Sequence, residues 1–522
     1  VRLPRGATMF PKLLREAGYY CTNNRKEDYN VEKPAGVWDE SSRTAHWKNR
    51  PAGRPFFAVF NHTVSHESQI RARPHTLVHD PRRVSLPPYH PDTPEVRHDW
   101  AQYYDKLTEM DAQVGEKLRE LADAGLQDDT IVFYFSDHGS GMPRSKRWLY
   151  TSGLHVPLIV RIPEKFAHLQ PAGYLPGGTD DRLVGFVDLA PTVLSLAGIE
   201  APELMHGTAF LGKYAGAARA YQFGFRDRMD ERYDLSRSVS DTRFLYLRNY
   251  MPHREYGQYL SYMFQMPTTR VWKALFDRGE LSPPRTYFWK EKPAEELYDI
   301  QSDPHQVRNL VNDSRHAAVL NRLRSAHRSW VGGIRDLGFL PESEIHGRSG
   351  DGSPYEMGHD EARYPLARIV ETADLAASRD LEDLPCLVRR SGDSDSAVRY
   401  WAAVGLLVRG ATAASTHRKT ARRLLQDSAW PVRITAAEVL VRHGDRADVD
   451  EALDVLLDGA DVEKHGLYVS IHALNALDMC DAAVAAQAAN QIRAIRTSHP
   501  SVPKRMGNYL GRLVDKILVD MQ

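Results

Sequence analysis

The sequence predicts an α/β chain: a doubly wound, mostly parallel sheet, then a small α+β subdomain, then a C-terminal α-solenoid. Three observations predict it. Over residues 1–215, short apolar strands alternate with amphipathic helices, the pattern of a parallel sheet covered on both faces. Over 216–345 the strands are shorter and a single helix follows them. Over 360–522 the chain repeats itself, and residues 346–359, beginning HGRSGDGSPYEM, read as a Gly/Ser-rich linker before the repeats.

In chain order, Thr8 can cap a short helix, MFPKLLREAGYY, whose Met9, Leu13 and Leu14 share a face and which Gly18 stops. Phe56-Phe57-Ala58-Val59-Phe60 is a short apolar strand that ends in the polar Asn61-His62-Thr63. An amphipathic helix from about Asp99 to Ala124 carries Tyr103, Leu107, Met110, Val114, Leu118 and Leu121 at spacings of three or four. After the turn at Asp128-Asp129, TIVFYF (Thr130–Phe135) is a second buried strand and Val156–Val160 a third. VDLAPTVLSLAGI (Val187–Ile199) reads as a helix with Pro191 in its first turns. In the second region Phe244–Leu247 and Glu296–Asp299 are strands, and a helix runs from about His316 to Gly332.

In the third region, residues 393–410 laid on 427–444 give eight identities in 18 positions, among them Asp393/Asp427, Val398/Val432, Arg399/Arg433, Ala402/Ala436 and Leu406/Leu440. A third copy puts Val469, Ala473 and Leu477 at the same places. Each Val-Ala-Leu stripe can be buried only against a neighbouring helix pair, and the D-x-x-x-x-V-R start resembles short HEAT-type repeats. Such a solenoid braces a neighbour or binds a protein partner.

Composition limits the function classes. With 42% hydrophobic and 26% charged residues the chain is ordinary globular protein, not disordered, collagenous or coiled coil. Lys plus Arg and Asp plus Glu both number 68, so no global charge favours nucleic acid or an anionic membrane. Three widely separated cysteines exclude a disulfide scaffold and a zinc ribbon. No window approaches the ~18 apolar residues of a membrane span. The chain opens on Val1 with a stretch that is neither a signal peptide nor an ordinary domain start, and is expected to be a fragment or a processed product.

The sharpest chemical signal is Ser136-Asp137-His138-Gly139 directly after TIVFYF. Strand ends in a doubly wound sheet face the ligand crevice, where an Asp can hold a hard cation such as Ca²⁺ or Mg²⁺ and a His can add a nitrogen or orient the Asp. The bland alternative is an Asp capping the next turn. The context, GLQDDTIVFYFSDHG followed by Lys146-Arg147 and LYTSGLHVPLIVRIP, resembles the sulfatase family of the alkaline-phosphatase superfamily. LLREAGYY with Arg25-Lys26, FFAVFNHTVSHES, VDLAPTVLSLAGI with His206-Gly207, and EELYDIQSDPHQVRNL follow in family order, so the resemblance covers residues 8–340. CTNNRKEDYN and RDRMDERYD are most similar to bacterial sulfatases related to heparan N-sulfatases.

The resemblance implies hydrolysis of a sulfate ester or sulfamate on a sulfated carbohydrate, by an exported (periplasmic or secreted) enzyme. It makes Asp137 and His138 metal-site residues for calcium or magnesium, Lys26 and Lys146 sulfate-binding groups, and His66 a contact to the sulfate or the leaving group. Taken alone, each lysine reads as a solvated surface charge. Such chemistry is positioning plus electrostatic stabilisation of developing negative charge. Asp28 stands where the family has a histidine and is expected to bind a polar substrate group. Arg228, in Arg226–Arg232, either reads anionic groups of the sugar or belongs to a surface salt-bridge cluster.

The family also uses a Cys or Ser in a C/S-x-P/A-S/T-R motif, oxidised to formylglycine, and a pair of acidic metal ligands at the end of the first strand. Neither is present here, and both are expected only in a missing upstream segment. Cys21-Thr22-Asn23-Asn24-Arg25 has the Cys-to-Arg spacing without the Pro and Ser and reads as a decoy. The fragment is therefore expected to be inactive. Two rival readings stand beside this one: a phosphodiesterase or phosphonate monoester hydrolase of the same superfamily, and a non-catalytic scaffold that binds partners through its repeats.

Overall fold

A computed structural model describes residues 1–521. Helix α1 (Phe10–Glu16), with Pro11 in its first turn and Leu14 buried, leads into strand β1 (Tyr20–Asn24). With β2 (Glu40–Ser41) and β3 (Phe56–Phe60), β1 forms a parallel sheet of order β2-β1-β3, in register from Tyr20 opposite Phe56 to Asn24 opposite Phe60. Since β1 and β3 end side by side, the loops that leave them start from one edge, the carboxyl edge where α/β sheets place ligands. Helix α2 (Glu67–Ile70) follows, then the long helix α3 (Pro94–Asp123), capped by Thr93.

The expected apolar stripe of α3 faces β4 (Val132–Phe135), with the Tyr134 hydroxyl against Met110 Sδ at 3.4 Å, but it is only half-covered. Of its members only Leu121 is buried and Leu118 is exposed. The buried side chains near the start of the helix include polar ones: Asp99 is bound by Arg73 and Thr268, and Asp105 by His75 and His79.

Beyond the one-turn helix α4 (Thr151–Leu154), β5 (Leu158–Arg161) pairs with β4 antiparallel, Val132 opposite Arg161 and Phe135 opposite Leu158. The expectation of one doubly wound sheet is corrected here: β2-β1-β3 is parallel as expected, but β4 and β5 form a separate antiparallel pair. A parallel return needs a crossover of a dozen or more residues that is usually helical. The connection from β4 to β5 contains only α4. Helix α5 (Leu189–Leu196), shorter than expected, is entered through a turn in which Asp188 accepts from the backbone N–H groups of Gly185 and Thr208.

The next region is a four-stranded antiparallel sheet, β6 (Gln222–Arg226), β7 (Ser236–Ser240), β8 (Phe244–Asn249) and β9 (Glu295–Asp299), in sequential order. Helix α6 (Pro267–Asp277) packs on α3, and α7 (Ala317–Gly333) on β7 and β8. Residues 346–359 are not the extended linker their composition indicated. Residues 346–349 and 354–358 fall in helices Glu342–Ser349 and Pro354–Gly358, the second fixed by a capping box in which Ser353 and Glu356 bind each other's backbone N–H, and Met357 is buried.

Helices continue to the end of the described residues. Val398, Ala402 and Leu406, Val432, Ala436 and Leu440, and Val469, Ala473 and Leu477 are all buried. Arg399 of the first copy pairs with Asp427 of the second at 2.7 Å. These helices share one core with the antiparallel sheet: Tyr250, Phe339 and Trp401 pack together, and Trp401 donates to the Phe339 carbonyl.

Candidate active site

Three loops converge. Lys26 follows β1, His66 follows β3, Asp137 and His138 follow β4, and Lys146 lies before α4. The backbone brings Lys26 back over the strand ends. Asn23 Nδ2 donates to the Lys26 carbonyl at 3.0 Å, and Asn61 Nδ2 donates to Asn23 Oδ1 at 3.1 Å, which stitches the end of β3 to that of β1. The Lys26 ammonium then lies 3.5 Å from Asp137 Oδ2 and 3.7 Å from Asp28 Oδ2. A mostly apolar cleft of about 640 Å³ opens beside it, lined by Val59, Trp38, Val187 and His206 among others.

Gly139 must be glycine, because a Cβ there would lie 1.8 Å from the Ser152 carbonyl oxygen. This close approach lets Gly139 N–H bond to the Gly153 carbonyl and folds the 139–153 loop over the end of β4. His138 Nδ1 lies 2.7 Å from the Gly139 carbonyl, which can only accept, so the neutral ring carries its proton on Nδ1. Nε2 is thereby left as a lone pair 3.6 Å from Asp137 Oδ1. Burial holds the His138 pKa below its ordinary value, with Lys146 and Lys26 adding to the lowering.

His66 has the opposite tautomer. It caps α2, and its Nδ1 accepts from Ser68 N–H, so the neutral ring carries its proton on Nε2. Burial first, then Lys146 and Lys26, keep its pKa low. Near neutral pH His66 is thus an uncharged N–H donor beside two ammonium groups. Lys146 is half-buried; burial first, then Arg147, lowers its pKa, against the opposing pull of Glu67 and Asp137.

Two residues that carried no expectation belong to this cluster. Glu67 is buried, 3.8 Å from Lys146 Nζ and 3.0 Å from Arg147 Nη2, and Arg147 also reaches Asp230 at 3.7 Å. Charged residues normally face water. The one available signal was their adjacency to His66 and Lys146.

Arg228 makes no contact with Lys26, His66 or Lys146: its Nε donates to Glu342 at 2.6 Å, its Nη1 to the carbonyl of Asp230, and its guanidinium lies over the Tyr509 ring. This is the salt-bridge alternative, with partners from the helical region. Cys21 lies in β1, fully buried, with its thiol on the Pro11 carbonyl and its pKa pushed up to about 12 by burial and Asp39. Such a protonated, inaccessible thiol is inert.

A calcium or magnesium ion wants six or more oxygen ligands, fewer where waters remain. Asp137 offers a carboxylate and His138 a lone pair, but among the described residues no three His, Cys, Asp or Glu side chains are grouped to hold a metal. The Lys26 ammonium, between Asp28 and Asp137, takes the cationic place itself. The donors present do not amount to a cation site.

Residues 10–199, which hold all five converging residues, match the sulfatase family model. The chain is 38% identical over 388 residues to an ulvan-active sulfatase of Formosa agariphila, covering 67% of this chain and 64% of that protein. It is 29% identical over 277 residues to human N-sulphoglucosamine sulphohydrolase (48% and 51% covered) and 28% identical over 246 residues to human iduronate 2-sulfatase (41% and 44% covered). The chain thus spans 64% of the first of these relatives and 51% and 44% of the other two. By the match over 10–199 and these relatives, this region of the chain is of the sulfatase family.

Proposed function

We propose that the protein acts on a sulfate ester or sulfamate of a sulfated carbohydrate, and that the residues present here hold the sulfate without attacking it. The observation that carries the reading is the meeting of two ammonium groups, Lys26 and Lys146, with the neutral donor His66 at the ends of β1, β3 and β4. A sulfate group is a compact anion with several acceptor oxygens. The two lysines neutralise it from two sides, and His66 Nε2–H points a hydrogen bond at an oxygen that gains charge as the S–O or S–N bond lengthens. Asp28 and Asp137 limit the positive charge at Lys26.

Asp137 and His138 would supply two of the donors a divalent cation needs, short of a complete site, so no step is assigned to a cation here. Nor does any cysteine serve as nucleophile: Cys21 is buried and protonated, and Cys386 and Cys480 lie in the helical region. Arg228 and the helical repeats act as a brace, Arg228 through Glu342 and Tyr509. A periplasmic or secreted location is part of this proposal, supported by the resemblance to exported sulfatases; among the described residues no helix is long and apolar enough to cross a membrane.

The test is to incubate the protein with sulfated polysaccharide and with glucosamine N-sulfate, reading sulfate release and, separately, binding by calorimetry. Binding without release is expected. Release that survives Cys21→Ser would contradict the assignment of these residues to holding alone, and absence of binding would contradict the reading as a whole.

A further inference from the structure

We propose that Glu67 is a positioning residue of this site, which fixes the ammonium of Lys146 and holds the Arg147 guanidinium away from the bound anion. The proposal rests on the reading of Lys146 as a sulfate-binding group. Its grounds are geometric. The Glu67 side chain is fully buried and neither carboxylate oxygen makes a hydrogen bond, so its compensation comes from the two cations beside it, Arg147 at 3.0 Å and Lys146 at 3.8 Å. A buried carboxylate is retained only where such partners are held in place.

The loop is built around that carboxylate. A Cβ on Gly141 would lie 2.7 Å from Glu67 Cβ, so only glycine lets the loop cross the Glu67 stem. Lys146 N–H then bonds back to the Ser140 carbonyl at 3.0 Å, closing the loop just before the two cations. Arg147 has a positive φ of 83°, a backbone state that L side chains rarely adopt and that surroundings must impose. The imposing contacts are visible: Glu67 and Asp230 hold its guanidinium, and Arg226 donates to its carbonyl. With its side chain only 7% exposed, Arg147 is committed to the two carboxylates. Glu67 is also adjacent to His66, so the start of α2 directs one side chain to the ligand and the next to the lysine that faces it. The opposition of Glu67 to the lowering of the Lys146 pKa agrees with this placement.

The experiment has two readouts. In the first, every lysine is acetylated with limiting acetic anhydride at fixed pH and quantified by peptide mass spectrometry, with no sulfate present. Glu67→Gln is expected to raise the modification rate of Lys146 severalfold, roughly three- to tenfold, with Lys26 and the remaining lysines unchanged. Glu67→Asp, which keeps the charge but draws it back from Lys146, is expected to raise the rate by a smaller factor, and stands in if the Gln variant fails to fold. A general loosening would raise many lysines together.

In the second readout, inorganic sulfate is titrated into each protein, and Glu67→Gln is expected to weaken binding about fivefold in the Lys146 background and to have no further effect beside Lys146→Ala. An unchanged Lys146 rate in Glu67→Gln, or a rise shared by all lysines, overturns the proposal whatever the sulfate result. A wild-type protein that binds no sulfate overturns the functional reading and leaves the lysine readout to decide this one.

Discussion

The ammonium of Lys26 lies 3.5 Å from the carboxylate of Asp137, although one follows the first strand and the other the fourth. The two strands belong to separately hydrogen-bonded sheets, so the contact is made by loops rather than by a ladder. Both side chains are largely exposed, 43% and 64%, which makes the pair a weak contributor to stability, under about 1 kcal/mol, and an adjustable one electrostatically. Its importance lies in where it places a positive charge.

That placement gives a charge prediction. In buffer freed of divalent cations by a chelator, Asp137→Asn removes the carboxylate that competes with sulfate for Lys26. Sulfate affinity should rise about threefold, most at low salt, with a melting temperature within about 2 °C of the wild type. Calorimetry at two ionic strengths checks it, and weaker binding would mean that Asp137 orders Lys26 rather than competing for it.

Arg228 supplies a contrast. Its guanidinium is paired with Glu342 and covers Tyr509. Arg228→Ala should leave sulfate affinity unchanged while lowering stability by about 1–3 kcal/mol in urea unfolding, since it strands a partly buried carboxylate. A loss of sulfate binding at unchanged stability would return Arg228 to the substrate side.

The helical region should depend on its repeated stripe. Leu440 is fully buried between neighbouring helices. Leu440→Ala is expected to cost about 2–5 kcal/mol, and Leu440→Asp more. A variant that melts like the wild type would show that these helices do not form a common core.

Acid sensitivity follows from buried neutral histidines. His90 is held neutral by burial, its Nε2 donating to the Pro143 carbonyl and its Nδ1 accepting from Trp100, with its pKa lowered to about 3. His327, buried near Arg248 and Arg237, is also lowered to about 3. A histidine whose folded pKa lies below its unfolded value binds protons preferentially when unfolded. Its contribution is therefore intact above about 6.5 and is lost as pH falls from there toward about 3. Melting temperature should be level from pH 8 to 7 and fall steadily below about 6.5, and a profile flat to pH 4 would contradict this assignment.

The sequence made legible what periodicity and adjacency can carry. TIVFYF became β4, with Asp137 and His138 at its end, and Cys21-Thr22-Asn23-Asn24-Arg25 proved to hold a buried thiol rather than a nucleophile. Strand β7 was missed because SRSVS lacks an apolar alternation, and β6 because its alternation is only two Phe residues around a Gly. Arg237 is buried there by Asp336 and Asp227, partners distant in the chain or beyond the strand's end. The direction of β5 was missed because an apolar run has no polarity of its own. Glu67 and Arg147 were missed because a charged residue shows its burial only through the neighbours that folding brings.

The central claim is that Lys26 and Lys146 together hold one sulfate, and its most direct test is calorimetric titration of inorganic sulfate into wild-type protein and the Lys26→Ala/Lys146→Ala double variant at low salt. The account predicts one saturable site in the wild type, weakened more than about tenfold in the double variant while the fold is retained by circular dichroism. Equal affinity in the two proteins, or no saturable site in the wild type, would contradict it.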